Sequence, residues 1–287
     1  LVSLVVATVN RTTELDRLLA SLEAQSYKAF EVLVVDQNPD DRLVAVFQEH
    51  PGLRICHLRS GLGLSRARNV GLREAKGQIV AFPDDDCWYP NTLLESVTRW
   101  FAEHPECDGL FTSMRNADNV PMAPKWPPPA GVCTRDNVWD CTVSFTAFLR
   151  RQLVDAVGEF NELLGLGADT PYQACEDIDY FIRPLALGFR MWYEPELVVH
   201  HPETRPPELL LSRAYPFALS YGYVLGKHGY SRPYWLRRIA RSCGGVMFAL
   251  CRADVSTARL YCLRAAGQFR GYLSGLKERT HCDERST

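Results

Sequence analysis

The sequence predicts an α/β protein: a mixed, mostly parallel sheet flanked by helices, followed by a helical C-terminal extension. Three observations predict it. Short apolar runs alternate with stretches of helical leucine spacing from the first residue onward. That β-α-β-α order gives parallel strands with helices on both faces of the sheet. Beyond residue 204 the pattern changes to apolar residues at helical spacing with arginines beside them.

Residues 1–7, apolar except for Ser3, read as the first strand. Thr13 followed by Asp16 resembles a capping box with a short acid in the usual Glu place. Leu15, Leu18, Leu19 and Leu22 then give one buried helical face. Residues 31–36 form a second strand, with Val32, Leu33, Val34 and Val35 buried on both sides. A helix over 43–50 and a strand over 54–58 follow. Gly61 and Gly63 break the chain before a helix over 65–75, and 78–83 is the fourth strand. Residues 126–129, Trp-Pro-Pro-Pro, read as a stiff loop. Later, Ile178, Phe181, Ile182 and Leu185 mark a helix, and 191–201 a strand ending in His200 and His201.

The formal net charge of −2 hides an asymmetry. Residues 1–203 carry 18 Lys and Arg against 29 Asp and Glu; residues 204–287 carry 14 against 5. The ten cysteines include no CxxC pair and no Cys/His ligand spacing. Cys243, Cys251 and Cys262 fall in apolar stretches, so the expectation is reduced core thiols and a cytoplasmic protein. Residues 1–7 lack the basic start of a secretion signal, and no apolar run is long enough to span a bilayer.

The strand ends carry the chemistry. Asp84, Asp85 and Asp86 follow the fourth strand, and three adjacent carboxylates repel unless a counter-charge is present. A hard divalent cation such as Mg2+ or Mn2+ supplies one; a solvated acidic turn or helix-capping cluster is the plain alternative. Thr8, Asn10 and Arg11 follow the first strand and Asp36 ends the second. All these ends share the edge at which open α/β sheets bind ligands. There Asp36 suits the N–H of a nucleotide base, or simply starts a turn. Arg66 and Arg68 in a first helical turn suit phosphate, or form a solvated helix face. Glu176 and Asp177 open a helix after the glycine-containing loop 165–170. Either they stabilise the helix dipole, or one is a general base or acceptor ligand beside a movable lid. His200 and His201 are third metal ligands or a polar strand terminus.

In this order the motifs Asn10-Arg11, Val34-Val35-Asp36, Gly63–Gly71, Phe82–Asp86 and Glu176-Asp177 resemble those of a family 2 glycosyltransferase of the GT-A fold. The resemblance covers about residues 1–202 and implies an inverting enzyme that uses a nucleotide-sugar, with UDP favoured, and Mn2+ or Mg2+. It implies a catalytic domain over 1–203, with a nucleotide-sugar half at 1–90 and an acceptor half at 91–203, then an extension over 204–287. Carried over, Asp36 meets the base; Thr8, Asn10 and Arg11 form the first nucleotide loop; Arg68 and Asn69 lie near the sugar-diphosphate. Asp84 and Asp86 end the Asp-x-Asp motif, so Asp86 is the first metal ligand expected and Asp85 the second. Pro83 departs from the commoner pattern. Asp177 matches the base and Glu176 its companion. The acceptor would be a glycan or lipid-linked hydroxyl in polysaccharide biosynthesis.

Two rival classes remain. A nucleotidyltransferase normally resembles a Gly-rich N-terminal loop, which residues 1–13 lack, and a non-catalytic nucleotide-sugar scaffold would lose the carboxylates kept here. The extension has two readings as well. Its amphipathic stripes over 234–277 either lie on an anionic membrane at the inner face of the plasma membrane or dock on the catalytic domain. Nucleic acid fits poorly, since no recognised binding motif accompanies the basic residues.

Overall fold

The computed structural model describes residues 1–122, 128–202 and 207–285. The expected domain boundary at 203–204 lies outside them, as do residues 126 and 127 of the expected stiff loop. The chain forms two compact units: Leu1–Phe160 with Tyr180–Glu203, and Asn161–Asp179 with Thr204–Thr287.

The first unit opens with β1 (Val2–Thr8), α1 (Thr13–Glu23), β2 (Phe30–Asp36), α2 (Leu43–Gln48), β3 (Ile55–Arg59), α3 (Leu64–Glu74) and β4 (Ile79–Ala81). It continues through α4 (Leu93–Glu103), β5 (Gly109–Arg115), β6 (Gly131–Val132), α5 (Val138–Cys141), β7 (Ala147–Arg150) and α6 (Arg151–Val157). It closes with the later turns of α7 (Glu176–Ala186) and with β8 (Met191–His200). The strands form one sheet in the order β3-β2-β1-β4-β7-β5-β8-β6. The first four are parallel, β7 is antiparallel to both β4 and β5, and β8 is parallel to β5. β1, β2, β4 and β8 therefore deliver their carboxyl ends to one edge.

Alternate residues of each strand face opposite sides. Val2, Leu4 and Val6 share a core with Val32, Val34 and the four leucines of α1, and α2 and α4 complete it with Leu43, Leu94, Val97 and Phe101. On the other side α3 approaches closely: a Cβ on Gly71 would lie 2.4 Å from Val5 Cγ1. The capping box does not form. Thr12 precedes the helix without a side-chain cap, and Asp16, too short to reach back, meets His50 Nε2 at 2.9 Å. β4 is shorter than its apolar run because the chain turns at Pro83, which has no N–H to donate.

The second unit holds α8 (Pro207–Lys227), α9 (Arg232–Cys251) and α10 (Val255–Arg285). α8 and α10 meet backbone to backbone: a Cβ on Gly222 would lie 2.2 Å from Gln268 O, and one on Gly271 2.0 Å from Leu219 O. α9 packs through small residues too. Ser242 Oγ reaches Gln268 Oε1 at 3.1 Å, and a Cβ on Gly245 would strike the Tyr261 ring at 2.6 Å. On the same helix Trp235 stacks on Tyr272 at 4.6 Å, while Leu236, Cys243, Met247 and Leu250 are exposed. The expected core cysteines change as well. Cys243, Cys251 and Cys262 are exposed, while Cys87, Cys107, Cys133 and Cys141 are buried.

Candidate functional site

β1 and β2 end side by side, with Thr8 opposite Asp36, and both residues are buried. Asn10 follows in a left-handed conformation (φ 58°), which Asn tolerates better than most residues. Its N–H donates to Asn38 Oδ1 at 2.7 Å, and Arg42 donates to its side-chain oxygen at 3.0 Å. Asp36 is wholly enclosed, and both of its oxygens are engaged. Oδ1 accepts from the backbone N–H and side-chain amide of Asn38 at 2.8 and 2.7 Å. Oδ2 lies 3.0 Å from both His57 Nε2 and Arg59 Nη1. A carboxylate offers about four acceptor positions. A base N–H therefore reaches Asp36 only by displacing His57 or Arg59, the partly exposed partners.

The aspartate triplet does not depend on a metal for counter-charge, as its sequence alone implied. Arg11 Nη1 lies 2.7 Å from Asp85 Oδ1 and 2.6 Å from Asp86 Oδ2. Arg68, only 2% exposed, holds Asp84 at 3.2 Å and Ser144 Oγ at 2.8 Å. Arg17 donates to the Asp86 carbonyl at 2.6 Å and lies over the Trp88 ring.

What points to a metal is the geometry. Trp88 and His200 exchange two backbone hydrogen bonds of 3.0 Å, which ties the segment after the triplet to the end of β8. His201 is thereby set 3.1 Å from Asp86 Oδ1 and stacked on Phe145. One ligand atom each from Asp84, Asp86 and His201 lies within 4.8 Å of the others. Asp86 Oδ1 is buried and faces His201 Nε2, two ligand atoms turned toward one point. Carboxylate and imidazole donors of this kind fit Mn2+ or Mg2+.

The electrostatics separate the three acids. Burial pushes Asp85 up to about 6, against the pull of Arg11. Burial also raises Asp86, but His201 and Arg11 outweigh it and hold its pKa below the usual carboxylate range. Burial opposes the His201 cation, yet Asp86 outweighs that and raises its pKa.

Not every expected residue faces this cluster. Asp85 turns to Arg11. His200 stacks on Trp88, with Nδ1 3.0 Å from Asn116 O. Asn69 is buried in α3 and its amide clamps the Phe160 backbone, donating at 3.0 Å and accepting at 2.7 Å. Arg66 reaches the Leu62 carbonyl at 3.3 Å. Asn38, His57, Arg59 and Ser144 were missed. The polar alternation His57-x-Arg59 was the available signal, but it acquires meaning only once the β2–β3 register sets Arg59 opposite Asp36.

Glu176 and Asp177 belong to the second unit. Cys175 precedes them with φ 64°, and the Ile178 N–H donates to Asp177 Oδ1 at 2.8 Å. One residue on, buried Asp179 receives Lys227 Nζ and His228 Nε2, each at 2.8 Å. Burial would raise its pKa, but His228 and Lys227 hold it down to about 2. The loop expected to be a lid is braced by its own side chains, with Gln173 Nε2 donating to Ala168 O at 2.9 Å and the Gly167 N–H to Gln173 Oε1 at 3.0 Å.

The chain is similar to known proteins in sequence and in fold. The profile of the family described as Glycosyl transferase family 2 matches residues 3–158. An uncharacterized glycosyltransferase of Haemophilus influenzae is 30% identical over 112 residues, which is 39% of this chain and 38% of that protein's length. The chain thus aligns with well under half of that relative. Among solved structures, Staphylococcus aureus TarS 1–349 in complex with UDP-GlcNAc superposes with a TM-score of 0.59 at 20% identity, covering 98% of this chain and 91% of that one. The mannosyltransferase PcManGT from Pyrobaculum calidifontis, in complex with GDP-Man and Mn2+, gives 0.61 at 17% identity, covering 97% and 87%. These likenesses establish the GT-A fold.

Proposed function

This chain belongs to glycosyl transferase family 2, and we propose that it is a glycosyltransferase moving a sugar from a nucleoside-diphosphate sugar to an acceptor hydroxyl with inversion. The observation that carries the reading is the meeting of Asp84, Asp86 and His201 at the carboxyl edge of the sheet. UDP is the favoured donor nucleotide, and the acceptor is a hydroxyl of a glycan or lipid-linked glycan in polysaccharide biosynthesis. The imidazole in the ligand set favours Mn2+ over Mg2+.

Each residue has a stated part. Asn10, Asn38 and Asp36 shape the pocket for base and ribose, with His57 or Arg59 giving way to the base. Asp84, Asp86 and His201 would hold the cation, which supplies charge neutralisation on the diphosphate as the glycosidic bond breaks. Arg11, half-exposed beside Asp85 and Asp86, is placed to turn toward the same phosphates. Asp177 takes the proton from the acceptor hydroxyl, whose oxygen attacks the anomeric carbon opposite the departing diphosphate. Glu176 lies beside the acceptor. Asp179, anchored by Lys227 and His228, fixes the first turn of α7 and so the aim of Asp177.

The test is a panel of nucleotide-sugars with and without Mn2+, scored for nucleoside diphosphate release by wild type and Asp177→Asn. We expect metal-dependent release from one donor, stimulated by acceptor and reduced about 10²- to 10⁴-fold in the variant. Donor binding without turnover, unchanged in the variant, would replace the enzyme reading with a scaffold.

A further inference from the structure

The helices of the second unit bury rings, with Trp235 stacked on Tyr272 at 4.6 Å, yet leave a large apolar cluster outside. Close approach of the helices runs through small residues: Gly222 and Gly271 between α8 and α10, and Ser242 and Gly245 between α9 and α10. Large apolar side chains lie outside. Met247 is 70% exposed, Phe248 64%, Leu250 60% and, just past the turn, Val255 73%. Contacts through small residues with large apolar groups facing out are the pattern of helices whose surroundings are lipid. An apolar cluster left in water needs a partner.

Charge selects the partner. Ser242–Cys251 are ten consecutive uncharged residues, bounded by Arg241 and Arg252, both exposed. Arg252 lies over the Phe248 ring, 5.5 Å from its centroid, so a cation borders the apolar cluster directly. Residues 232–277 carry nine Lys and Arg and one acid, Asp254. That carboxylate is occupied at the start of α10, accepting the Thr257 N–H at 2.9 Å. Apolar side chains within a rim of arginines match a bilayer whose surface is anionic. A second copy matches poorly, since it would bring the same arginines and no free acid to the rim. Among the described residues no helix is long and apolar enough to cross a membrane, so the contact lies along the surface.

We propose that the outward face of α9, with the α9–α10 turn, docks this protein on an anionic phospholipid surface, Met247, Phe248 and Leu250 entering the acyl boundary and Arg241 and Arg252 meeting headgroup phosphates. The inference rests on the second unit alone and does not require the donor reading.

The experiment is sedimentation of the full chain with vesicles of phosphatidylcholine alone or mixed with phosphatidylglycerol. The wild type should pellet with the mixed vesicles only, and added salt should release it. Met247→Asp with Phe248→Asp should weaken binding by at least about tenfold. Arg241→Gln and Arg252→Gln should each weaken it about fivefold. Thermal unfolding and donor turnover on a water-soluble acceptor, run on the same variants, should match wild type and exclude misfolding. Because vesicle binding is read without donor, its failure and a failure of sugar transfer are separate results. The proposal is overturned if wild type stays in the supernatant with anionic vesicles at low salt, or if the variants bind as well as wild type. Self-association of the wild type that Phe248→Asp abolishes would assign the face to a second copy and overturn it too.

Discussion

At the amino end of the sheet, Glu31 on β2 accepts the Ser3 hydroxyl at 2.7 Å and the Lys76 N–H at 2.8 Å, and Ser3 Oγ accepts the Gly77 N–H at 2.7 Å. At the carboxyl end of the same two strands, Asp36 and the aspartate triplet meet five basic side chains, Arg11, His57, Arg59, Arg68 and His201. Both ends bury acid. The amino end closes on neutral donors and ties β1, β2 and the segment before β4 together. The carboxyl end leaves ligand atoms of Asp84, Asp86 and His201 within 4.8 Å of one another and keeps Arg11 and Arg59 partly in solvent. Carboxylate and imidazole atoms gathered this closely mark the place where a cation is expected. The difference assigns stability to one end and chemistry to the other.

The sharpest way to break that contrast is Asp86→Ala. It removes a ligand atom at the carboxyl end and should lower metal-dependent diphosphate release about 10²- to 10³-fold in steady-state assays, with little change in thermal midpoint. A large loss of stability with activity per folded molecule retained would make the two ends alike. Asp36→Ala comes next. It frees His57, Arg59 and Asn38 from their anchor, and donor affinity measured by calorimetry should fall by about 1.5–3 kcal/mol.

At the opposite end Glu31→Ala leaves Ser3 and Lys76 N–H without their acceptor. Chemical denaturation should show a loss of about 1–3 kcal/mol, while donor affinity of the folded fraction stays at the wild-type value. Reduced donor affinity there would erase the division of labour.

The smallest effect concerns His50, a second closed acid contact on the core face. Burial lowers its pKa, but hydrogen bonds to Glu23 and Asp16 outweigh it and the net direction is up. A histidine whose folded pKa exceeds the unfolded value binds more protons when folded. Its stabilisation is therefore fully present below about pH 6.5 and is lost as pH rises through the higher folded value. Both acids are well exposed, so the effect should stay within about 1 kcal/mol and shrink with salt. Denaturation midpoints between pH 6 and 8 for wild type and His50→Asn would show it, the slope being absent in the variant.

The fold was legible where periodicity is strong. β1, β2 and the four leucines of α1 declare themselves, since a doubly buried strand and a single buried helical face have distinct patterns. β7 was not legible: four residues, Ala147–Arg150, carry too few alternations to announce a strand, let alone one inserted antiparallel between β4 and β5. In the site, Asp36, Asp84 and Asp86 were readable because parallel order alone sends their strand ends to one edge. His57 and Arg59 were not, because the register of β3 on β2 is written in no single residue. The outward face of α9 shows a related limit. Helical spacing reveals a stripe but not which of its residues dock, and here Trp235, Ser242 and Gly245 made the contact while Met247 and Leu250 stayed outside.

The most direct measurement is calorimetric titration of UDP into wild type and Asp86→Ala, each in Mn2+ and in EDTA. The account predicts that Mn2+ tightens UDP binding to wild type by at least about tenfold and leaves the variant near its EDTA value. Equal affinity with and without Mn2+ in the wild type, or an unchanged Mn2+ effect in Asp86→Ala, would contradict a metal-assisted diphosphate site at this edge.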